Sequence, residues 1–135
     1  MKLGKIVRTS LLAGVALTSA VAFATPAPAL AASLGNSDFY PYPDGTCRTK
    51  VFSSNGGVVK LTFYRPGMPD TYTNLDLWEY DPDNPDDFVD DTFQIRDGQS
   101  TTWTNLSSTV DGENNKAELY WIGPCTGAPW VHIDD

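Results

Sequence analysis

Seven consecutive residues, Asp81-Pro82-Asp83-Asn84-Pro85-Asp86-Asp87, hold four carboxylates and one amide oxygen. Hard cations take clusters of oxygen ligands, and Ca2+ takes six to eight. Carboxylates this close repel one another unless a cation lies between them. Pro82 and Pro85 stiffen the segment, which lowers the entropy lost in gathering ligands. The spacing is not that of an EF-hand, whose central Gly and closing Glu are missing. The pattern therefore reads either as a Ca2+ site built from Asp81, Asp83, Asp86 and Asp87 or as a solvated acidic turn that ends strands and aids solubility. A second turn, Asp111 to Asn115, offers Asp111, Glu113 and Asn114. If the strands run up and down in order, the turns around Asn55, Asp81–Asp87 and Asp111–Asn115 share one end, and Asp111 adds to the ligand set.

Other chemistry is thinner. His132 is the single histidine, hence the sole base for a Ser-His-Asp triad. No G-x-S-x-G accompanies it, and its place near the chain end reads as an exposed terminal residue. Glu79 and Glu118 are numerically available as a glycosidase pair, but both fall in strand patterns. Cys47 and Cys125 with one histidine fit no zinc spacing. Of the tryptophans, Trp103, Trp121 and Trp130 read as core or core edge. Trp78, with Tyr80, shares the parity of Asn74 and Asp76, so these two are the expected ring-stacking pair on an outer sheet face.

The elements that must carry these residues are strands. Val59, Leu61 and Phe63 alternate with Lys60 and Thr62. Leu75 and Leu77 alternate with Asn74, Asp76 and Trp78. Val89, Phe93 and Ile95 share a side of the stretch Phe88 to Arg96, and Asp97-Gly98 reads as a hairpin turn. Cys47 to Ser53, Ser100 to Leu106, Ala117 to Ile122 and a short piece at Trp130 to Ile133 complete the set. Asn55-Gly56-Gly57 is a turn. Residues 32–46, with Pro41, Pro43 and Asp44-Gly45, read as an N-terminal arm or short edge segment. No stretch after the leader is amphipathic enough for a helix. Six to eight short strands at turn spacings near ten residues predict an all-β domain over 47–135, a small antiparallel sandwich of immunoglobulin-like type or a small barrel.

Residues 1–31 have the layout of a secretory signal peptide: Lys2, Lys5 and Arg8, then an apolar run from Leu11 to Ala24, then small residues that fit cleavage after Ala31, with a rival site after Ala24. The apolar run is too short to span a bilayer comfortably. The whole chain of 135 residues carries net charge −8, but residues 32–135 hold six Lys and Arg against all seventeen Asp and Glu, or −11. Such acidity argues against nucleic acid as a partner. An exported chain meets an oxidising compartment, so Cys47 and Cys125 are expected to pair.

The run Leu75 to Val89 resembles one segment of C2 domains, in which a strand of the type L-x-V-x-V-x-D-x-D enters a calcium loop closed by D-D-F-[IV]. The resemblance covers fifteen residues and implies a β-sandwich in which Asp81, Asp83 and Asp87 are the loop's ligands. The sequence departs from the pattern: the loop is shorter between Asp83 and Asp87, Asp90 stands where the family has Gly, and Asp70 is a poor stand-in for the earlier ligand-bearing loop. No basic patch or apolar loop tip supports membrane binding.

The expected protein is a secreted, monomeric, non-enzymatic binding module with Ca2+ in the Asp81–Asp87 loop, its partner an extracellular protein or carbohydrate. The alternative is an interaction protein, such as an inhibitor of an extracellular enzyme, with no metal; a small hydrolase is the third reading.

Overall fold

The alternation in Val59–Tyr64 is realised in full: Val59, Leu61 and Phe63 are completely buried while Lys60, Thr62 and Tyr64 stay half-exposed. The same period of two buries Leu75 and Leu77 in Thr73–Glu79 and Val131 and Ile133 in Trp130–Asp134. Two antiparallel sheets face each other across these side chains. The structure is a computed structural model that describes residues 32–111 and 114–135. The leader at 1–31 and Glu113 lie outside the described residues.

In chain order the strands are β1 (Ser33–Asp38), β2 (Tyr40–Pro41), β3 (Cys47–Arg48), β4 (Phe52–Ser54), β5 (Val59–Tyr64), β6 (Thr73–Glu79), β7 (Asp87–Ile95), β8 (Ser100–Trp103), β9 (Ala117–Gly123) and β10 (Trp130–Asp134). One sheet has the order β1-β10-β5-β8; the other runs β2-β3-β9-β6-β7, with β4 also on β9. The core lies between them, with Phe52 edge-on to Trp121 and Trp103 beside Trp121. The all-β sandwich expected from the sequence is the fold observed.

Several details differ from the sequence reading. The supposed arm supplies edge strand β1, paired along β10, and β10 is an inner strand rather than a loose end. The stretch read as one strand from Cys47 to Ser53 is two, both on β9. Between them Thr49 turns inward: its backbone N–H donates to Trp121 O, and its Oγ1 accepts from Trp121 N–H. The strands do not run up and down in order. Asn55-Gly56-Gly57 and Asp97-Gly98 both carry the chain from one sheet to the other, so Asp97-Gly98 closes no hairpin. Gly56 has φ +79°, and a Cβ there would stand 2.2 Å from Val110 Cγ2, which demands glycine.

Strand β7 is irregular. Its register with β6 shifts between Leu77 and Trp78 and again between Thr73 and Leu75, and Gln94 has φ 53°. Such bulges reset parity, so Thr92 and Ile95 are buried although three residues apart. Thr92 Oγ1 replaces a lost ladder bond by accepting from Leu75 N–H at 2.9 Å. Asp90 points toward the sandwich mouth, where Trp103 Nε1–H donates to it across the two sheets. Bulges and an inward-turned acid on an edge strand discourage pairing with another chain.

Cys47 and Cys125 form a disulfide, 78 residues apart in sequence. It ties β3 to the segment after β9. In the chain-entropy account, whose size depends on the denatured state assumed, a closed loop of that length contributes roughly 4 kcal/mol.

Candidate functional site

The β6–β7 loop and the turn before β9 do meet. Asp81, Asp83 and Asn84 line a cleft of about 430 Å³ together with Asp111, Asn114 and Glu118. The meeting follows from β6 lying beside β9, with Glu79 opposite Leu119 and Tyr80 N–H donating to Glu118 O at 2.7 Å. The Asp81–Asn84 turn and the segment before β9 share one end through a strand order different from the one that suggested it, while Asp86 and Asp87 do not line the cleft. Asn55 lies close by, its Oδ1 accepting from Lys116 Nζ.

The five candidate carboxylates separate into groups. Asp81 serves its own loop: Oδ1 accepts from Asp83 N–H at 2.9 Å and Asn84 N–H at 3.2 Å, and Oδ2 accepts from Asn84 Nδ2 at 2.9 Å. The Asn84 side chain first, then these backbone N–H groups, hold its carboxyl below the usual range. Asp86 turns away from the cleft, accepting from Asp81 N–H at 3.3 Å and from Tyr120 OH at 2.7 Å. Asp87 stands exposed on β7, paired with Glu79. Asp83 and Asp111 are exposed at the cleft. As positioned, no three His, Cys, Asp or Glu side chains among the described residues form a group that could hold a metal ion.

Beneath this end lies Glu79, which the sequence reading weighed only as half of a glycosidase pair. It continues the inward parity of Leu75 and Leu77 and is 5% exposed, and its Oε1 has no hydrogen-bond partner. Burial pushes its carboxyl up to about 7, with Asp111, Asp87, Asp81 and Glu118 adding repulsion. Glu118 has the opposite parity on β9 and accepts from Asn114 Nδ2, so the two glutamates share no substrate space. The signal that would have singled out Glu79 was its parity: a charged residue in an apolar register.

Around the other side of the loop, the outer face of the six-stranded sheet is aromatic. Trp78 opposes both Phe88 and Tyr120 in the ladders, and its ring is edge-on to Phe88 at 5.5 Å. Trp78 is half-buried with an unpartnered indole N–H, so of the two expected stacking residues only Tyr80, 43% exposed, presents its ring to solvent. Tyr120 is buried under Arg48, whose guanidinium lies 5.4 Å from its ring centroid and 4.7 Å from that of Tyr42. Burial first, then the bond to Asp86, pushes the Tyr120 phenol above the usual tyrosine range. Arg48 is anchored by Asp44, whose carboxyl is held at about 2 chiefly by the hydroxyl and N–H of Thr46.

His132 has partners after all. Its Nδ1 contacts Asn36 Oδ1 at 2.5 Å, while Nε2 faces both Asp134 Oδ1 at 3.1 Å and Ser33 Oγ at 3.3 Å. A triad needs the acid and the serine on opposite ring nitrogens. Here they share one, so the cluster is a cross-strand tie between β1 and β10.

Comparison with known proteins adds a family. The family described as "YndA coiled coil domain" matches residues 33–133, almost the whole described domain. The curated "Uncharacterized protein YndA" of Bacillus subtilis (strain 168) is 44% identical over 68 residues, which are 50% of this chain and 49% of that protein. The chain thus spans about half the length of the curated relative it matches. No solved structure matches the chain significantly. The described residues form ten strands and one 3-10 turn, Leu106–Thr109, with no α-helix, so they are not the coiled coil of the family's description. Among them no helix is long and apolar enough to cross a membrane.

Proposed function

We propose that this chain, which belongs to the YndA coiled coil domain family, is an exported, non-enzymatic binding module that takes up Ca2+ in the cleft between the Asp81–Asn84 turn and residues 111–118. The observation that carries the reading is the uncompensated charge at that end. Asp81, Asp83, Asp111 and Glu118 converge on or beside the cleft, yet among the described residues no Lys or Arg forms an ion pair with any of them; the one such pair is Arg48–Asp44. Asp83 and Asp111 are exposed side chains on turns, free to swing toward an ion without disturbing the strands. With the amide oxygens of Asn84 and Asn114, backbone carbonyls and water they supply the oxygen-rich set that Ca2+ prefers. Export rests on the leader layout of residues 1–31 and accords with the disulfide.

Thermal melts in millimolar CaCl2 against chelator test the reading. A bound ion stabilises by linkage, about 2.7 kcal/mol at a hundredfold excess over Kd, and a domain of this size then melts roughly 10–20 °C higher. Asp83→Ala and Asp111→Ala abolish the shift; Asp134→Ala, in the His132 tie, keeps it. An unchanged melting temperature overturns the calcium reading.

A second reading has its own support. Asp81 has both oxygens engaged by the loop's own N–H groups and Asp86 is bonded to Tyr120. This is how a structural turn uses its acids. On that reading the module binds a protein or carbohydrate without metal, and the melt in CaCl2 equals the melt in chelator.

A further inference from the structure

The outer face of the six-stranded sheet carries a feature that the cation reading leaves unused. Tyr42, Tyr80 and Tyr120, with Val51, wall a cavity of about 110 Å³ that holds two charged groups, Arg48 and Asp86. Four exposed apolar side chains stand at its border or beyond it: Tyr42 at 44%, Val51 at 41%, Tyr80 at 43% and Phe88 at 56%. The ladder pairs Phe88 with Trp78 and Trp78 with Tyr120, so the rings continue across β7, β6 and β9.

Both charged groups are fixed before any ligand arrives. The Arg48 guanidinium lies against two tyrosine rings and donates from Nε to Thr46 Oγ1 at 3.1 Å, from Nη1 to Tyr120 Oη at 3.4 Å and from Nη2 to Asp44. Asp86 is held by Tyr120 OH and by Asp81 N–H. Each retains hydrogen-bonding capacity, two N–H donors on the guanidinium termini and free lone pairs on the carboxylate. The site therefore offers a rigid donor and a rigid acceptor between phenol rings.

That pairing selects against charge of either sign. A cation meets Arg48, which already occupies the attractive positions over the Tyr42 and Tyr120 rings. An anion meets Asp86 and a domain of net charge −11 over residues 32–135. A neutral molecule with an apolar face and rim hydroxyls satisfies everything at once. Its C–H face stacks on the tyrosines, and its hydroxyls accept from Arg48 and donate to Asp86. A pyranose ring has that chemistry, and the ring strip toward Phe88 gives room for further units. We infer that the tyrosine-walled cavity binds a neutral oligosaccharide, whose chain extends over Trp78 and Phe88. The inference is independent of the calcium reading.

Titration of the labelled protein with cellotetraose, maltotetraose and the N-acetylglucosamine tetramer, followed by amide and side-chain NMR in the presence of chelator, tests it. At least one sugar gives saturable shifts at Tyr42, Arg48, Tyr80 and Tyr120. Tyr80→Ala and Tyr42→Ala then weaken binding about tenfold each, the scale expected of a central interface aromatic. Phe88→Ala weakens the tetramer about threefold and leaves binding of a disaccharide of the same sugar unchanged. Tyr72→Ala, an exposed tyrosine elsewhere, has no effect, and melts of each variant confirm folding. Absence of shifts with all three sugars overturns the inference, as does equal loss in the Tyr72 and Tyr80 variants. Shifts at these residues from a lysine-rich peptide, with none from sugars, overturn it in favour of a cationic protein partner.

Discussion

Asp135 and Glu79 are both buried carboxyls, 7% and 5% exposed, yet their surroundings differ sharply. Asp135 accepts from Ser54 Oγ at 2.6 Å and from Asn55 N–H at 2.9 Å, while its backbone exchanges two hydrogen bonds with Ala32. Glu79 keeps one oxygen without a partner and is surrounded by the repulsion of other acids. The first arrangement is how a fold uses a buried acid: every lone pair that faces inward finds a donor. The second is a local conflict that the fold by itself does not resolve, and conflicts of that kind concentrate at functional ends of proteins.

Substitutions at the two acids should therefore have opposite signs. The largest effect is expected from Asp135→Ala, which strands the Ser54 hydroxyl and the Asn55 N–H in a buried turn. The loss is about 2–3 kcal/mol, or roughly 10–20 °C in melting temperature. A loss under about 0.5 kcal/mol would erase the contrast. Next is Glu79→Gln. A carboxyl raised from 4.5 to about 7 in the folded protein keeps its proton where the unfolded chain has released it. Its contribution to stability is complete below pH 4.5 and is lost as pH rises through 7. The wild-type curve should thus fall relative to Glu79→Gln across that window by about 2–3 kcal/mol. Urea titrations at pH 4 and pH 8 measure the difference, and parallel curves would contradict it. The smallest effect belongs to Asp83→Ala, an exposed side chain, which should leave the melt in chelator unchanged and act only when Ca2+ is present.

Much of this was legible in the sequence. Strands β5 and β6 were marked by alternation, because one face of each is more buried than the other. The disulfide followed from two cysteines behind an export leader. Of the expected set Asp81, Asp83, Asp86, Asp87 and Asp111, the cleft brings together Asp81, Asp83 and Asp111, through a topology other than the one that suggested it. What escaped is set by contacts distant in sequence. The β7 bulges answer to Asn74 and Leu75 across the ladder, with Gln94 N–H donating to Asn74 Oδ1 and Leu75 N–H to Thr92 Oγ1. Strand β10 looked peripheral because its neighbours β1 and β5 come from far along the chain. Asp86 was grouped with its loop neighbours, yet the hydrogen bond from the phenol of Tyr120 assigns it to the aromatic face.

The central claim is that the unpaired acids around the cleft, Asp81, Asp83, Asp111 and Glu118, form a cation site, and the most direct measurement is a Ca2+ titration followed by amide NMR. Saturable shifts confined to residues 79–84 and 111–118, and absent in Asp83→Ala and Asp111→Ala, are the predicted result. No saturable shift up to millimolar Ca2+, or weak shifts spread over every exposed acid including Asp38, Asp70 and Asp76, would contradict it.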